Sequence, residues 1–323
     1  MTIGNAMVDI IAGVDEAFLA THDLTNATMM LVSDERSRFL RAQVGDSIMA
    51  SGGSVANTSH GLASLGGRAG FIGKIADDDL GDAFSRDLFD AGVSFFPAPK
   101  DHGLPTGRCV IVVTPDGQRT MNTFLGASQY LPTAALDEAA IADAEILYLE
   151  GYLWDPEEPR AAMRRAIAAA KSAGRKVAFT LSDAFVIDRH GDDFRAMIDG
   201  GEIDILFANH IELASLTGQD DFHAGIDSLK DKVPLLVVTR SEQGAVAASG
   251  GKLYEVPAEP VAKVVDTTGA GDLFAAGFLY GHVNGRAIDE CLTMGAVCAA
   301  EIISHYGARP EASLTELVAR RLG

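Results

Sequence analysis

The chain has 323 residues, 47% hydrophobic and 22% charged, with 26 Lys and Arg against 45 Asp and Glu for a net charge of −19. That composition excludes a disordered chain, and the length allows one or two domains whose core needs no staples. The acidic excess excludes a general grip on nucleic acid or on an anionic membrane, both of which need a positive face, but it leaves room for a small anion at a local site.

The first apolar stretch reads as a strand interrupted by Asn5 and Asp9, two polar groups on one face that need partners. A polyol ligand would supply them, as would a satisfied network at the strand end. The stretch contains no Lys or Arg before Arg36, which is not the pattern of a signal peptide. Ala50-Ser51-Gly52-Gly53-Ser54-Val55-Ala56-Asn57-Thr58 follows, in which paired glycines precede a helix start. Its open backbone N–H groups and short polar side chains suit the hydroxyls of a sugar-like ligand, although Ser and Asn are also common as plain N-caps. Cys109–Thr114 and Gln118–Phe124, joined by Thr-Pro-Asp-Gly, predict a hairpin. With residues 13–48 it forms a small β-element beside the main sheet, and Arg119, just after its turn, is a candidate phosphate clamp.

The second half alternates strand and helix. Ile146–Glu150, Lys176–Leu181, Ile203–Ala208 and Leu235–Thr239 read as strands. Helices are expected from Pro156 to Gly174, over Asp193–Asp199 and from about Ile211. This is the pattern of a mostly parallel sheet covered on both faces. Ala245–Ala248 and Leu253–Val256 flank a second turn. From Gly269 onward the chain reads as helical, over Asp272–His282, Asp289–Ile303 and Ser313–Leu322. Asn209-His-Ile-Glu212 suits a capping box, and the loop from Thr239 to Gly244 ends a strand where α/β sheets place ligands. Cys109, Cys291 and Cys298 are too scattered for a disulfide framework, and no Cys/His spacing suggests zinc. No run of about 18 apolar residues occurs, so no membrane span and a cytoplasmic location are expected.

The strongest motif is Asp266-Thr267-Thr268-Gly269-Ala270-Gly271-Asp272. Small residues let backbone N–H groups converge at a helix N-terminus that carries about half a positive charge. Gly269, Ala270 and Gly271 thereby form an anion hole suited to a phosphoryl group. A carboxylate beside such a hole, Asp272, can accept the proton of a substrate hydroxyl. Its other role would be to complement the helix dipole. The stretch is neither a Rossmann fingerprint, which fails at Phe274, nor a GxxxxGK[ST] phosphate loop.

This motif resembles the C-terminal signature of the ribokinase-like (PfkB) carbohydrate kinases, and Gly52 through Gly81, with GGSVAN and FIGKIADDDLG, resembles their N-terminal signature. The resemblance implies a three-layer α/β/α sandwich with a mostly parallel sheet, and a discontinuous β lid formed by about 13–48 and 103–127 within one domain of 1–323. It implies ATP and magnesium as cofactors, and phosphoryl transfer to a primary hydroxyl. Asp272 then matches the base, and Asn5, Asp9, Gly52, Gly53, Ser54 and Asn57 match the sugar-holding positions. Asn209, Thr239, Gly244, Thr267 and Arg119 match nucleotide contacts. Glu212 matches a magnesium residue acting through water, and Asp266, with Ser304–Gly307, a monovalent cation site such as one for potassium. The lid motifs look most like bacterial adenosine kinases, which makes the 5′-hydroxyl of adenosine the expected acceptor and Phe124, Leu125, Trp154 and Phe185 candidate purine surfaces, with core or lid packing as their other role. The alternatives are a kinase of a free sugar or sugar acid (ribose, fructose, 2-keto-3-deoxygluconate) and a non-catalytic nucleoside sensor. The expected partners are small molecules, and the chain is expected to be a monomer or homodimer.

Overall fold

The computed structural model describes residues 1–98 and 103–323. Among them the main sheet has nine strands, in spatial order Lys252–Val256, Ala245–Ser249, Leu235–Thr239, Ile205–Asn209, Lys176–Thr180, Ile146–Glu150, Thr2–Ile3, Gly70–Gly73 and Ser94–Pro97. All neighbours pair in parallel except at one edge, where Ala245–Ser249 runs antiparallel to both Leu235–Thr239 and Lys252–Val256. Strand side chains alternate between two cores. Tyr148, Ala178, Phe207 and Val237 pack beneath the helices Ala270–Val283 and Ile288–Ile302. Leu149, Phe179, Leu206 and Val238 pack on the other face with Glu157–Ser172 and Ala184–Asp199. The result is the expected three-layer α/β/α sandwich.

A second sheet has the order Met29–Leu31, Arg119–Phe124, Gly107–Val113, Met7–Gly13 and Ile48–Gly52. It extends past the expected segments 13–48 and 103–127, because the N-terminal stretch is two strands and not one. Thr2–Ile3 joins the main sheet, and the chain then crosses at residues 4–6 to give Met7–Gly13 to the second sheet. One face of this sheet is closed: Val8, Ile10, Val110 and Val112 pack with Leu19 and Leu40 from the helices Glu16–Thr21 and Asp34–Gln43. The other face looks toward the end of the main sheet.

The helix expected over Asp193–Asp199 begins earlier, at Ala184, with the Asp183 side chain capping the N–H of Phe185. The polar run Asp188–Asp193 hides the periodicity of Val186, Ile187, Phe194, Met197 and Ile198. Trp154 is also placed differently. It is fully buried, edge-on to Phe179 and Phe194 with ring centroids 5.9 and 5.7 Å away, and its Nε1–H donates to Asp193 at 2.8 Å. It is a core residue and not a purine surface. Trp154→Ala should therefore cost about 3–5 kcal/mol of stability, read by urea denaturation; a loss below about 1 kcal/mol would contradict this packing.

Candidate active site

The last residues of four adjacent parallel strands, Glu150, Thr180, Asn209 and Thr239, line one cavity of about 670 Å³. Parallel register brings these ends to one edge, pairing Thr180 with Glu150 and Asn209 with Thr239. The second sheet supplies the facing wall: Met7, Asp9, Met29, Leu31, Cys109, Arg119, Met121 and Thr123 all point inward. Residues of the opposite parity point away, and this corrects one expectation. Phe124 lies on the outer face, where the Arg108 guanidinium stacks over its ring at 4.9 Å. Met121 and Leu125 line the cavity in its place, and Phe185 stands at the rim.

Gly269 opens the helix Ala270–Val283 in the left-handed region at φ +74°, and no side chain caps that helix. Ala270 N–H donates to the Thr267 carbonyl at 3.3 Å, which leaves the Gly271 and Asp272 N–H groups for an anion, and Gly269, Ala270, Gly271 and Asp272 all line the cavity. The Asp272 carboxylate is held at both oxygens: Ser54 Oγ donates to Oδ1 at 2.6 Å and Asn57 Nδ2 to Oδ2 at 2.9 Å. Burial raises its pKa, partly offset by those two donors and by the Arg309 charge. A carboxylate whose pKa burial raises, aimed into a cavity beside open N–H groups, can take a proton there.

Asp9 differs from its neighbours. It is buried and faces the cavity, yet its carboxylate receives no hydrogen bond from any described residue. Burial pushes its pKa up to about 7. Gly52 is the residue that lets it sit there, since a Cβ at that position would lie 2.5 Å from the carboxylate. Gly52 itself does not line the cavity, whereas Gly53 does. Asn5 is satisfied internally: its N–H and Nδ2 donate to Glu150 at 2.7 and 2.8 Å, and Ser128 donates to its Oδ1 at 2.9 Å. Glu150 also accepts from the Val55 N–H at 3.1 Å, and burial pushes its pKa up to about 7.

Asn209 and Glu212 form the expected capping box and both face the cavity, with Glu212 pushed up to about 7 by burial. Among the described residues no three His, Cys, Asp or Glu side chains converge on a metal. Glu212 therefore fits only an ion that arrives with other ligands and is reached through water. Asp266 does not fit a cation ligand. Its Oδ1 accepts from Thr268 N–H and Oγ at 2.9 and 2.7 Å and pairs with Arg119 Nε at 3.0 Å, and its Oδ2 accepts from Gly307 N–H at 2.8 Å. Arg119 also reaches Thr268 and Thr267 at 2.5 and 2.6 Å. It thus ties the second sheet to the glycine turn while lining the cavity. Thr239 and Thr267 line the cavity as well; Gly244, packed against the Val256 carbonyl, does not. Arg309, a half-buried cation behind Asn57 and Asp272, has no sequence signal beyond its place before Pro310. The inward methionines were hidden for a similar reason, since parity shows only once the hairpin register is set.

Comparison with known proteins agrees with this geometry. The pattern of pfkB family carbohydrate kinases matches residues 17–314. A fructokinase from Klebsiella pneumoniae is 30% identical over 88% of this chain and 93% of its own length. Among solved structures, a probable sugar kinase from Rhizobium etli is 41% identical, with TM-score 0.93 over 99% of this chain and 97% of its own. The adenosine kinase from Sinorhizobium meliloti is 42% identical, with TM-score 0.92 over 100% of this chain and 98% of its own.

Asp9 sets a test of the unliganded protein. The unfolded chain loses the Asp9 proton near 3.8, whereas the folded chain keeps it to about 7. Stability from this group is therefore lost as pH rises through that window, and the penalty is complete above it. Asp9→Asn should raise the melting temperature at pH 8, with a gain that shrinks toward pH 4. An equal shift at both pH values would show that the buried charge is not its source.

Proposed function

The chain belongs to the pfkB family of carbohydrate kinases, and from that premise we propose that it transfers the γ-phosphoryl group of ATP to the primary hydroxyl of a neutral, ribose-containing acceptor, foremost the 5′-hydroxyl of adenosine. The observation that carries this reading is the two-sided cavity. Asp9 offers an unpartnered carboxylate for sugar hydroxyls, and Met7, Met29, Leu31, Met121 and Leu125 offer apolar surface for a base. The similarity to an adenosine kinase along the whole chain supports it. A free sugar such as fructose is the second reading, favoured by the fructokinase relative. A sugar acid is disfavoured, because Arg309 near Asp9 is committed to other partners and does not line the cavity. The non-catalytic sensor is disfavoured by Asp272, whose carboxylate is held facing the anion hole.

In this reading Asp272 accepts the proton of the acceptor hydroxyl as its oxygen attacks the γ-phosphorus. The bond from that phosphorus to the bridging oxygen breaks, and ADP leaves. The N–H groups of Gly269–Gly271 stabilise the charge that builds on the transferred group. Arg119 and Thr267 contact the phosphates, and Asn209, Thr239 and Glu212 border their path. Magnesium, anchored through water at Glu212, would neutralise phosphate charge. The second sheet acts as a lid that keeps water, a competing nucleophile, away from the phosphorus.

A coupled ADP-release screen over adenosine, inosine, guanosine, ribose, fructose and 2-keto-3-deoxygluconate tests the assignment. The highest kcat/KM is expected on adenosine. A preference for fructose would support the second reading, and tight adenosine binding without turnover of any acceptor would support the sensor. Asp272→Asn should lower kcat about 10²–10⁴-fold with little change in acceptor affinity, and full turnover by that variant would remove Asp272 from the role of base.

A further inference from the structure

Arg309 enters the site from the C-terminal loop and is almost wholly committed. Its Nη1 donates to Asn57 Oδ1 at 2.8 Å and to the Ala308 carbonyl at 2.9 Å, its Nε pairs with Asp87 at 3.3 Å, and its Nη2 donates to the carbonyl and hydroxyl of Ser51. The same Asn57 side chain donates to Asp272. A guanidinium can only donate, and an ionised carboxylate can only accept. An amide between them has one favourable orientation, with its oxygen toward Arg309 and its NH2 toward Asp272.

We propose that Arg309 is a positioning residue for the base: it locks the Asn57 amide so that its NH2 faces Asp272, and so fixes the carboxylate that takes the proton. The proposal deepens the kinase reading above and rests on it. Without Arg309 the amide is free to rotate by half a turn, which sets its oxygen against the carboxylate and leaves Ser54 as the remaining side-chain donor to Asp272. The arginine itself is held rigidly. Glu301 accepts from the N–H groups of Glu311 and Ala312 at 2.8 Å each, and Gly307 N–H donates to Asp266. A Cβ on Gly269 would lie 2.5 Å from that of Ala308. One loop thus braces the glycine turn through Gly307 and Ala308 and the base through Arg309. Arg309 does not line the cavity, so its effect should fall on turnover and not on binding.

The test is a double-mutant cycle on the full chain with the acceptor the screen identifies. Arg309→Met should lower kcat about 10–100-fold, with acceptor and ATP dissociation constants held within about threefold. Asn57→Ala should also lower kcat, and the double variant should fall no further than the worse single one. Effects that multiply, an undiminished kcat in Arg309→Met, or binding lost as much as turnover would each overturn the proposal. If Arg309→Met does not fold, Arg309→Lys is read instead, because a single ammonium cannot serve Ser51 and Asn57 together as the fork does. A crystal structure of the variant reads the same arrangement without turnover. An Asn57–Asp272 contact that is broken or turned is expected, and one preserved at its present length overturns the proposal even if no acceptor in the screen is phosphorylated. Wild-type inactivity on every acceptor would count against the kinase reading alone.

Discussion

Negative charge has to be buried at one place in this molecule, and much of the site follows from how that is managed. Asp9, Glu150, Glu212, Asp266 and Asp272 all lie in or beneath one cavity. A buried carboxylate must be paired, hydrogen-bonded or protonated. Asp266 is paired, by Arg119 from the second sheet. Glu150 and Glu212 take backbone and amide donors. Asp272 takes a hydroxyl and an amide, with Arg309 one residue behind. Only Asp9 is left without a donor, and it faces the space where an acceptor would lie.

The two cations that balance this set come from far along the chain, Arg119 from the hairpin and Arg309 from the C-terminal loop. Each joins parts that would otherwise be independent. Arg119 fastens the second sheet to the glycine turn, and Arg309 fastens the C-terminal loop to Ser51 and Asn57. Buried ion pairs add little net stability against apolar packing, but removing one partner strands the other charge. Their value here is geometric, since they hold the two sheets and the turn in one register around the cavity.

This division explains what could be read from the sequence. The four parallel strands of the second half, the edge hairpin and the glycine turn depend on local periodicity and on residues adjacent in the chain, and each was legible, whereas the short strands Gly70–Gly73 and Ser94–Pro97 were not read. The crossing at residues 4–6 was not legible: Gly4 and Asn5 break the apolar pattern there, and that break reads equally well as a polar position within one strand. Phe124 was misplaced by a single position: in a strand one step moves a side chain to the other face, and the loose alternation of Arg119–Phe124 did not show which face looked inward. For Trp154 the sequence left a purine contact and core packing both open, and its burial comes from Phe179 and Phe194, which lie elsewhere in the chain. Arg309 was invisible for the same reason, since its meaning lies in Asn57 and Asp87, more than two hundred residues away.

In the proposed reaction a chain at −19 takes a triphosphate against the sign of its own net charge. The conflict dissolves with distance. Surface charges beyond about 8–10 Å are screened at physiological salt, whereas N–H groups at a helix end act at contact. On the acceptor side of the proposed reaction, too, contact groups decide and not the net charge. A hydroxyl of a neutral acceptor would find at Asp9 a carboxylate with no described donor, whereas Glu150, held by Asn5 and Val55, has its hydrogen bonds made inside the protein.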